Sequence, residues 1–378
     1  MSRIRKNMWK NRKSLELKHV RRQRTSDVLK VEAPKGAIFF NLKNMKDKIA
    51  TVKLERQVMK SMRNCLEEED FIEIFPPKIV RASGSCENVD TLFEVGVKGN
   101  FCWFHSETPH RAYLSQTAQL YLEAFVPYLK KVYSVGPSFR AEPGNDNRHL
   151  TEFVMLEIEF AGNFKKLLEY IEKVIYRMVK DILNLPAKIK KELGFGKNEV
   201  ERLKKVKPIF PKITYDEAVK ILELPFGSDI SWKNEQKLMA KFDGHPIFIT
   251  HYPNPLWNHK KEIEVEKFFN MIPDPENPSR VLSADLILPF GGEAIGAAQR
   301  VHKFRELKWR LENSRMFKRL ENKGGGMEDF SWYLEKVREK SVPHAGCGFG
   351  MARILKFLKG EEDIKKVIAF PSNQENII

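Results

Sequence analysis

Apolar residues recur with helical spacing along several stretches of the chain. The longest run has helical spacing, and charged residues fill the other face; its apolar members are Ile49, Val52, Leu54, Val58, Met59, Met62 and Leu66. The spacing predicts helices over Asn44 to Glu69, Gln119 to Leu129, Lys165 to Leu183, Val301 to Leu320 and Met351 to Leu358.

Between these helices, shorter segments alternate or are enriched in β-forming residues. They predict strands over Phe71 to Phe75, Thr91 to Val97, Phe101 to Phe104, Ala112 to Leu114, Val132 to Phe139, Leu150 to Phe160, Pro246 to Thr250, Ala284 to Leu288 and Gly346 to Gly350. Pro186 to Lys207 is rich in charge and is predicted to be a surface connector. Because strands and helices are mixed along the chain, the expected fold class is α+β with an antiparallel sheet.

The charge is concentrated at the N-terminus. Residues 1–24 hold ten Lys or Arg and one Glu, so they supply +9 of the formal charge of +16. A basic arm of this kind favours a phosphate-rich partner such as RNA, and the alternative is a solvated tail without a partner. Both interpretations place residues 1–43 outside the main domain, which is predicted to span 44–378.

Composition narrows the class of protein. The chain is 42% apolar and 31% charged, which excludes a disordered protein. No apolar run reaches the roughly 18 to 20 residues that a membrane helix needs. We therefore expect a cytoplasmic protein without a membrane partner.

A predicted hairpin carries the first candidate chemistry. Arg140 and Glu142, two residues apart, are predicted on the same face of its first strand, and Phe153, Glu157 and Glu159 share one face of the second. An Arg beside carboxylates and an aromatic ring suits a nucleotide, with the Arg on phosphate oxygens. The alternative is a solvent-facing hairpin with cross-strand ion pairs.

A glycine-rich strand near the C-terminus carries the second group of candidate site residues. Gly346, Gly348 and Gly350 alternate and lead into a helix whose first turn holds Arg353. Glycines allow a ligand to approach the backbone, and Arg353 would meet a phosphate. The alternative is a tightly packed core strand.

With these motifs the chain resembles the class II aminoacyl-tRNA synthetases, in the aspartyl, asparaginyl and lysyl subgroup. Phe71 to Pro77 resembles motif 1, Phe139 to Glu159 motif 2 and Gly346 to Arg353 motif 3, while Asp285 to Arg300 resembles the segment that binds metal and amino acid. The resemblance implies an antiparallel sheet of six to seven strands flanked by helices, a homodimer built on motif 1, and an ATP-dependent ligase that uses Mg²⁺.

The resemblance also implies roles for individual residues. The residues implied to bind ATP are Arg140, Glu142, Arg148, His149, Phe153 and Arg353. Those implied to bind the amino acid are Glu87, Gln119, Glu157 and Arg300, and those implied to hold Mg²⁺ are Glu293 and Asp285. His149 could instead be an ordinary surface histidine.

Within the subgroup, Leu122 favours asparagine over aspartate. Aspartyl relatives place a lysine there for the second carboxylate of the substrate, and a leucine leaves that charge without a partner. Three segments depart from the usual pattern, at Glu87 to Asp90, at Ala297–Ala298 and at Ser372. The 43 residues before the first helix are too few for the five-stranded anticodon-binding barrel of the family, so we expect that domain to be missing.

Three functions remain open from the sequence. The first is activation of asparagine, or of aspartate, with transfer to tRNA, for which the basic arm would provide contacts. The second is a paralogue that makes free asparagine from aspartate, ATP and ammonia. The third is a non-catalytic RNA-binding paralogue, which the retained ATP-binding residues disfavour.

Overall fold

The computed structural model describes residues 42–84, 88–96, 111–143, 146–257, 263–265 and 267–375. The basic arm predicted for residues 1–43 lies almost wholly outside this part of the chain. Glu87 and the strand predicted over Phe101 to Phe104 lie outside it as well.

The described residues form an α+β fold. Its strands are β1 (Ile72–Glu73), β2 (Ile79–Val80), β3 (Glu94–Val95), β4 (Ala112–Leu114), β5 (Lys131–Phe139), β6 (Glu152–Ala161), β7 (Lys212–Thr214), β8 (Ile247–Thr250), β9 (Ser283–Leu288), β10 (Gly292–Gln299) and β11 (His344–Gly350). Its helices are α1 (Leu42–Glu67), α2 (Gln119–Leu129), α3 (Phe164–Leu183), α4 (Ala187–Glu192), α5 (Lys197–Lys204), α6 (Tyr215–Leu222), α7 (Trp232–Lys241), α8 (Phe304–Glu312), α9 (Arg315–Asn322), α10 (Ser331–Glu339) and α11 (Met351–Lys359).

The main sheet has eight strands in the order β1-β5-β6-β11-β10-β9-β8-β7. The six central strands, from β5 to β8, pair antiparallel. The edge strands β1 and β7 each join in parallel, so the predicted antiparallel sheet gains a parallel strand at both edges. A separate sheet of three short strands has the order β2-β4-β3.

Strand β6 shows how the sheet separates core from site. Leu156, Ile158 and Phe160 are buried in the main hydrophobic cluster, together with apolar residues of α1, α3 and α11. Because side chains alternate along a strand, Glu157 and Glu159 face the other way. These three helices therefore cover one face of the sheet, and the carboxylates of β6 lie on the other face.

The helices α1, α2, α3 and α11 and the two long strands β5 and β6 confirm the periodicity-based predictions to within two residues at each end. The segment predicted as a surface connector, Pro186 to Lys207, is largely exposed, and it also forms α4 and α5. Leu193, Phe195 and Leu203 from this segment are buried in the main cluster. The helix predicted over Val301 to Leu320 is divided in two, and Ser314 caps the second half by accepting from the Phe317 backbone N–H. Within the described residues, no helix is long and apolar enough to cross a membrane.

Candidate active site

A cleft of about 490 Å³ opens on the polar face of the sheet. Every predicted site residue that the structure describes lines this cleft: Gln119, Arg140, Glu142, Arg148, His149, Phe153, Glu157, Asp285, Glu293, Arg300 and Arg353. Glu87 lies outside the described residues. Residues from six separate segments thus converge on one cavity.

Arg140 and Phe153 stand together where the hairpin opens. Strand β5 ends at Phe139, so Arg140 and Glu142 follow the strand, whereas the spacing of two had placed them on it. The Arg140 backbone N–H donates to the Thr151 carbonyl at 2.9 Å, which holds the residue against β6. Its guanidinium carbon lies 5.4 Å from the Phe153 ring centroid. A flat ligand and its phosphate could be held here side by side.

His149 is oriented by a residue that the sequence did not single out. Asp146 accepts from the backbone N–H groups of Arg148 and His149, each at 2.8 Å. Its second carboxylate oxygen lies 2.7 Å from Nδ1 of His149. The loop therefore fixes the imidazole with Nε2 available to a ligand.

Arg353 and Glu235 meet at the backbone of Glu293. Nη1 of Arg353 donates to the Glu293 carbonyl oxygen. Oε1 of Glu235 accepts from the Glu293 N–H at 3.2 Å, and Arg148 approaches Oε2 of Glu235 at 4.0 Å. Burial, reinforced by the charge of Glu293, raises the pKa of Glu235 to about 7. Two arginines and a buried carboxyl group thus surround this end of the cleft.

Asp285 and Glu293 face a space that a side chain would otherwise fill. They lie on the neighbouring strands β9 and β10. A Cβ on Gly296 would lie 3.8 Å from Oε1 of Glu293 and 3.9 Å from Oδ1 of Asp285. The other oxygen of Asp285 accepts from Nζ of Lys267 at 2.6 Å. Burial raises the pKa of Asp285 to about 6.

Glu157 lies near the start of α2. Its carboxylate accepts from the Thr117 hydroxyl and, at 2.7 Å, from the Ala118 backbone N–H. Each carboxylate oxygen can accept a further bond, so Glu157 can still receive a cationic group. Gln119 begins the same helix and donates from Nε2 to Glu123 at 2.8 Å.

Arg300 lines the cleft, and its charge is already paired. Its Nε and Nη2 donate to a single oxygen of Glu159, at 3.0 and 2.6 Å. The other oxygen of Glu159, Oε2, is buried and has no hydrogen-bond partner among the described residues. Burial raises the pKa of Glu159 to about 7, against the opposing effect of Arg300.

The family described as tRNA synthetases class II (D, K and N) matches residues 38–374. The chain belongs to this family. The match confirms the resemblance drawn from the three motifs and, with the sheet described above, confirms the predicted fold class.

Several asparagine–tRNA ligases are similar to this class II synthetase. That of Pelotomaculum thermopropionicum is 35% identical over 329 residues, which cover 85% of this chain and 68% of that protein. That of Thermococcus kodakarensis is 34% identical over 330 residues, with the same coverage of 85% and 68%. The crystal structure of asparaginyl-tRNA synthetase from Pyrococcus horikoshii complexed with asparaginyl-adenylate superposes with a TM-score of 0.74 at 33% identity, covering 88% of this chain and 70% of that one.

Sequence reasoning missed several residues of the synthetase cleft. Glu159 was predicted on the same strand face as Glu157, but no role in binding was assigned to it. Glu235 and Lys267 lie in segments without a recognisable motif. Only the folded chain brings Lys267 to the Asp285 carboxylate and Glu235 to the Glu293 backbone N–H.

Proposed function

We propose that this class II synthetase activates asparagine with ATP and transfers it to tRNA. The observation that carries the choice of amino acid is the pair formed by Arg300 and Glu159. A primary amide needs a donor for its oxygen and an acceptor for its N–H groups. Arg300 supplies the donor, and the unpartnered Oε2 of Glu159 supplies the acceptor.

Aspartate fits the same pocket poorly. Its second carboxylate would bring two acceptor oxygens against Oε2 of Glu159, and two buried carboxylates at contact repel each other. Leu122 lines the cleft and is fully buried in an apolar cluster, so it offers no cation in compensation. The similarity to asparagine–tRNA ligases supports the same choice.

The first step is in-line attack of the asparagine carboxylate on the α-phosphorus of ATP. The P–O bond to the β-phosphate breaks, pyrophosphate leaves, and asparaginyl-adenylate forms without a covalent bond to the enzyme. Catalysis then rests on positioning and charge stabilisation. We assign the α-phosphate to Arg140, the adenine to Phe153, and the terminal phosphates to Arg353, Arg148 and His149.

The remaining contacts hold the amino acid. We assign its ammonium group to Glu157, whose carboxylate is fixed by Thr117 and Ala118, with Gln119 beside it. Glu87 is the family-implied partner for the same group. In the second step a terminal ribose hydroxyl of tRNA attacks the adenylate carbonyl, and AMP leaves.

Asp285 and Glu293 would hold Mg²⁺. The space above Gly296 fits this assignment, because it is flanked by one oxygen of each carboxylate and contains no side chain. A bound Mg²⁺ would neutralise charge on the phosphates as pyrophosphate leaves. Gly296→Ala should leave the fold intact, since its methyl group would make only ordinary contacts, yet raise the Mg²⁺ concentration needed for ATP binding by equilibrium dialysis.

We also propose a homodimer through the motif 1 segment. Ile72, Phe75 and Ile79 are 46%, 81% and 51% exposed, which is unusual for large apolar side chains clustered on an edge strand and its extension. A second copy of the chain would cover them in a two-fold interface. Sedimentation of Phe75→Asp should show a shift toward monomer. Cytoplasmic localisation stays a prediction.

The deciding experiment is ATP–pyrophosphate exchange with each of the twenty amino acids, followed by tRNA charging. We expect exchange with asparagine well above that with aspartate, and asparagine attached to tRNA. Exchange that requires aspartate, with free asparagine formed when ammonia is added, would overturn the proposal in favour of a tRNA-independent synthetase. Absence of exchange with every amino acid would favour an RNA-binding paralogue.

A further inference from the structure

Four ionisable side chains form a closed, buried group under the side-chain pocket. They are Glu123, Glu159, Arg300 and His344, and their side chains are only 1% to 5% exposed. We call them the Glu123 group. Glu123 and His344 do not line the cleft, and neither was among the predicted site residues.

The hydrogen bonds of Glu123 favour its ionised form. Its Oε1 accepts from Gln119 Nε2 at 2.8 Å and from Asn270 Nδ2 at 2.7 Å. Its Oε2 accepts from the Tyr333 hydroxyl at 2.5 Å and lies 3.1 Å from His344 Nε2. Three donors on one carboxyl group stabilise the carboxylate.

The surroundings of His344 favour its cationic form. Its Nδ1 lies 2.8 Å from the Val342 carbonyl oxygen, so this nitrogen donates, and its Nε2 lies 3.1 Å from the Glu123 carboxyl group. With Glu123 ionised, Nε2 donates as well, and the ring is then imidazolium. Burial opposes both charges, yet the contact between the two residues raises the pKa of His344 and lowers that of Glu123.

At a pH above the raised pKa of Glu159, where that carboxyl group is ionised, the charges of the group cancel. Glu123 and Glu159 contribute two negative charges, while Arg300 and His344 contribute two positive ones. Arg300 lies between the two carboxylates, 2.6 Å from Glu159 and 3.9 Å from Glu123. Without Glu123, the charge of Glu159 and the Val342 carbonyl oxygen still act to raise the pKa of His344 against the effect of burial. With His344 protonated, the group would then carry a net charge of +1 and could compensate the second carboxylate of aspartate.

From this arrangement we infer that Glu123 determines the choice of asparagine over aspartate without lining the amino-acid pocket. It does so by cancelling a positive charge that would otherwise stabilise the second carboxylate of aspartate. It acts through Arg300 as a positioning residue and touches no substrate atom. The inference rests on the proposed activation of asparagine. It adds a second barrier to aspartate, independent of the contact with Glu159.

The same residues do not suit a metal ion. One donor atom each from Glu123, Glu159 and His344 lies within 4.8 Å of the others, a spacing that could hold a cation. The His344 nitrogen is already a donor to Glu123, however, and Arg300 places its own positive charge against Glu159. A divalent ion would have to displace both cations.

The test measures how well aspartate inhibits asparagine-dependent pyrophosphate exchange in Glu123→Gln. The substitution keeps the shape of the side chain and removes one buried charge. We expect the inhibition constant of aspartate to fall by about 10- to 100-fold, the scale of one unit charge at short range in a protein interior, with a much smaller change in KM for asparagine. Weak exchange with aspartate alone should also become measurable.

Two further variants separate charge from structure. His344→Gln makes the group more negative, so the inhibition constant of aspartate should rise. Tyr333→Phe removes a hydrogen bond to Glu123 without changing the charge, so the ratio of aspartate inhibition constant to asparagine KM should stay near the wild-type value.

Opposite shifts in Glu123→Gln and His344→Gln would support the inference. Equal shifts in all three variants, or no shift in Glu123→Gln, would overturn it while leaving asparagine activation by the wild-type protein intact. If Glu123→Gln does not fold, His344→Gln and Tyr333→Phe still decide between charge and structure. Failure of the wild-type protein to activate asparagine would instead overturn the proposed function.

Discussion

Gly346 pairs with Glu159 across β11 and β6, and its missing side chain provides the space that the Glu159 carboxyl group occupies. A Cβ on Gly346 would overlap that carboxyl group and the Ile158 carbonyl oxygen. The glycine-rich strand therefore shapes the amino-acid pocket, besides allowing close approach of a ligand.

Gly346→Ala should consequently disable the side-chain pocket. Overpacking beside backbone is expected to cost about 1 to 3 kcal/mol of the free energy of unfolding. Asparagine-dependent exchange should be lost to a greater extent, because Glu159 must move away from Arg300. Urea unfolding and exchange assays measure the two effects separately.

Gly348→Ala is the matched control on the same strand. A Cβ there would meet mainly the terminal methyl group of Met155, which belongs to a flexible side chain that can move. We expect a smaller loss of stability than in Gly346→Ala. Equal losses of stability in the two variants would show that alanine is unfavourable at either position of the strand. The contact between Gly346 and Glu159 would then not be the cause.

Selectivity for asparagine should depend on pH through Glu159. Its pKa is raised from 4.5 to about 7, so the carboxylate takes up a proton as the pH falls through neutrality. A protonated Oε2 becomes a donor: it no longer accepts from the amide of asparagine and can instead bond to the carboxylate of aspartate. The ratio of asparagine to aspartate activation should therefore fall from pH 8 to pH 6.

Taking a ratio at each pH removes changes common to both substrates. Glu235 and Asp285 also titrate near neutrality, with pKa values raised to about 7 and about 6, but they lie at the ATP end of the cleft. Glu159→Gln should give a pH-independent ratio. A wild-type ratio that stays constant over this range would contradict the assignment of Glu159 to the amide.

Arg353→Ala should abolish pyrophosphate exchange while the protein stays folded. Its side chain is partly exposed and makes one backbone contact, with Glu293, so the loss of stability should be about 1 kcal/mol. A charged hydrogen bond to phosphate is worth more in the transition state, and a loss of about 100-fold or greater in exchange is expected. Pyrophosphate exchange near the wild-type rate in the folded variant would contradict the assignment of Arg353 to the phosphates of ATP.

The parts of the site that could be predicted from the sequence are those whose residues lie close together in one motif. The hairpin from Lys131 to Ala161 and the strand from His344 to Gly350 follow from periodicity and glycine placement. The surroundings of Glu123 do not, since its partners Asn270, Tyr333 and His344 are 147, 210 and 221 residues away. No local pattern encodes such a contact. In the segment from Pro186 to Lys207, charged residues outnumber the few apolar residues that pack α4 and α5 against the core, so no helical pattern was recognised there.

The basic arm gives a prediction that concerns RNA alone. Residues 1–24 carry ten basic side chains and precede every motif of the cleft. If they contact tRNA phosphates, each contact should contribute about −0.7 to −0.9 to the slope of log K against log salt concentration. Deleting residues 1–24 should weaken tRNA binding and flatten this slope by several units, while asparagine-dependent exchange stays unchanged.

A variant in which the ten basic residues are replaced by glutamine is the matched control, since it keeps the length of the arm. It should reproduce the flattened slope, because counterion release depends on charge and not on length. Phosphate contacts position a nucleic acid without reading its sequence, so wild-type protein and variant should differ in affinity for every tRNA by a similar factor. An unchanged salt slope after deletion would show that the arm is a solvated tail, and a loss of affinity restricted to one tRNA would show that it reads sequence.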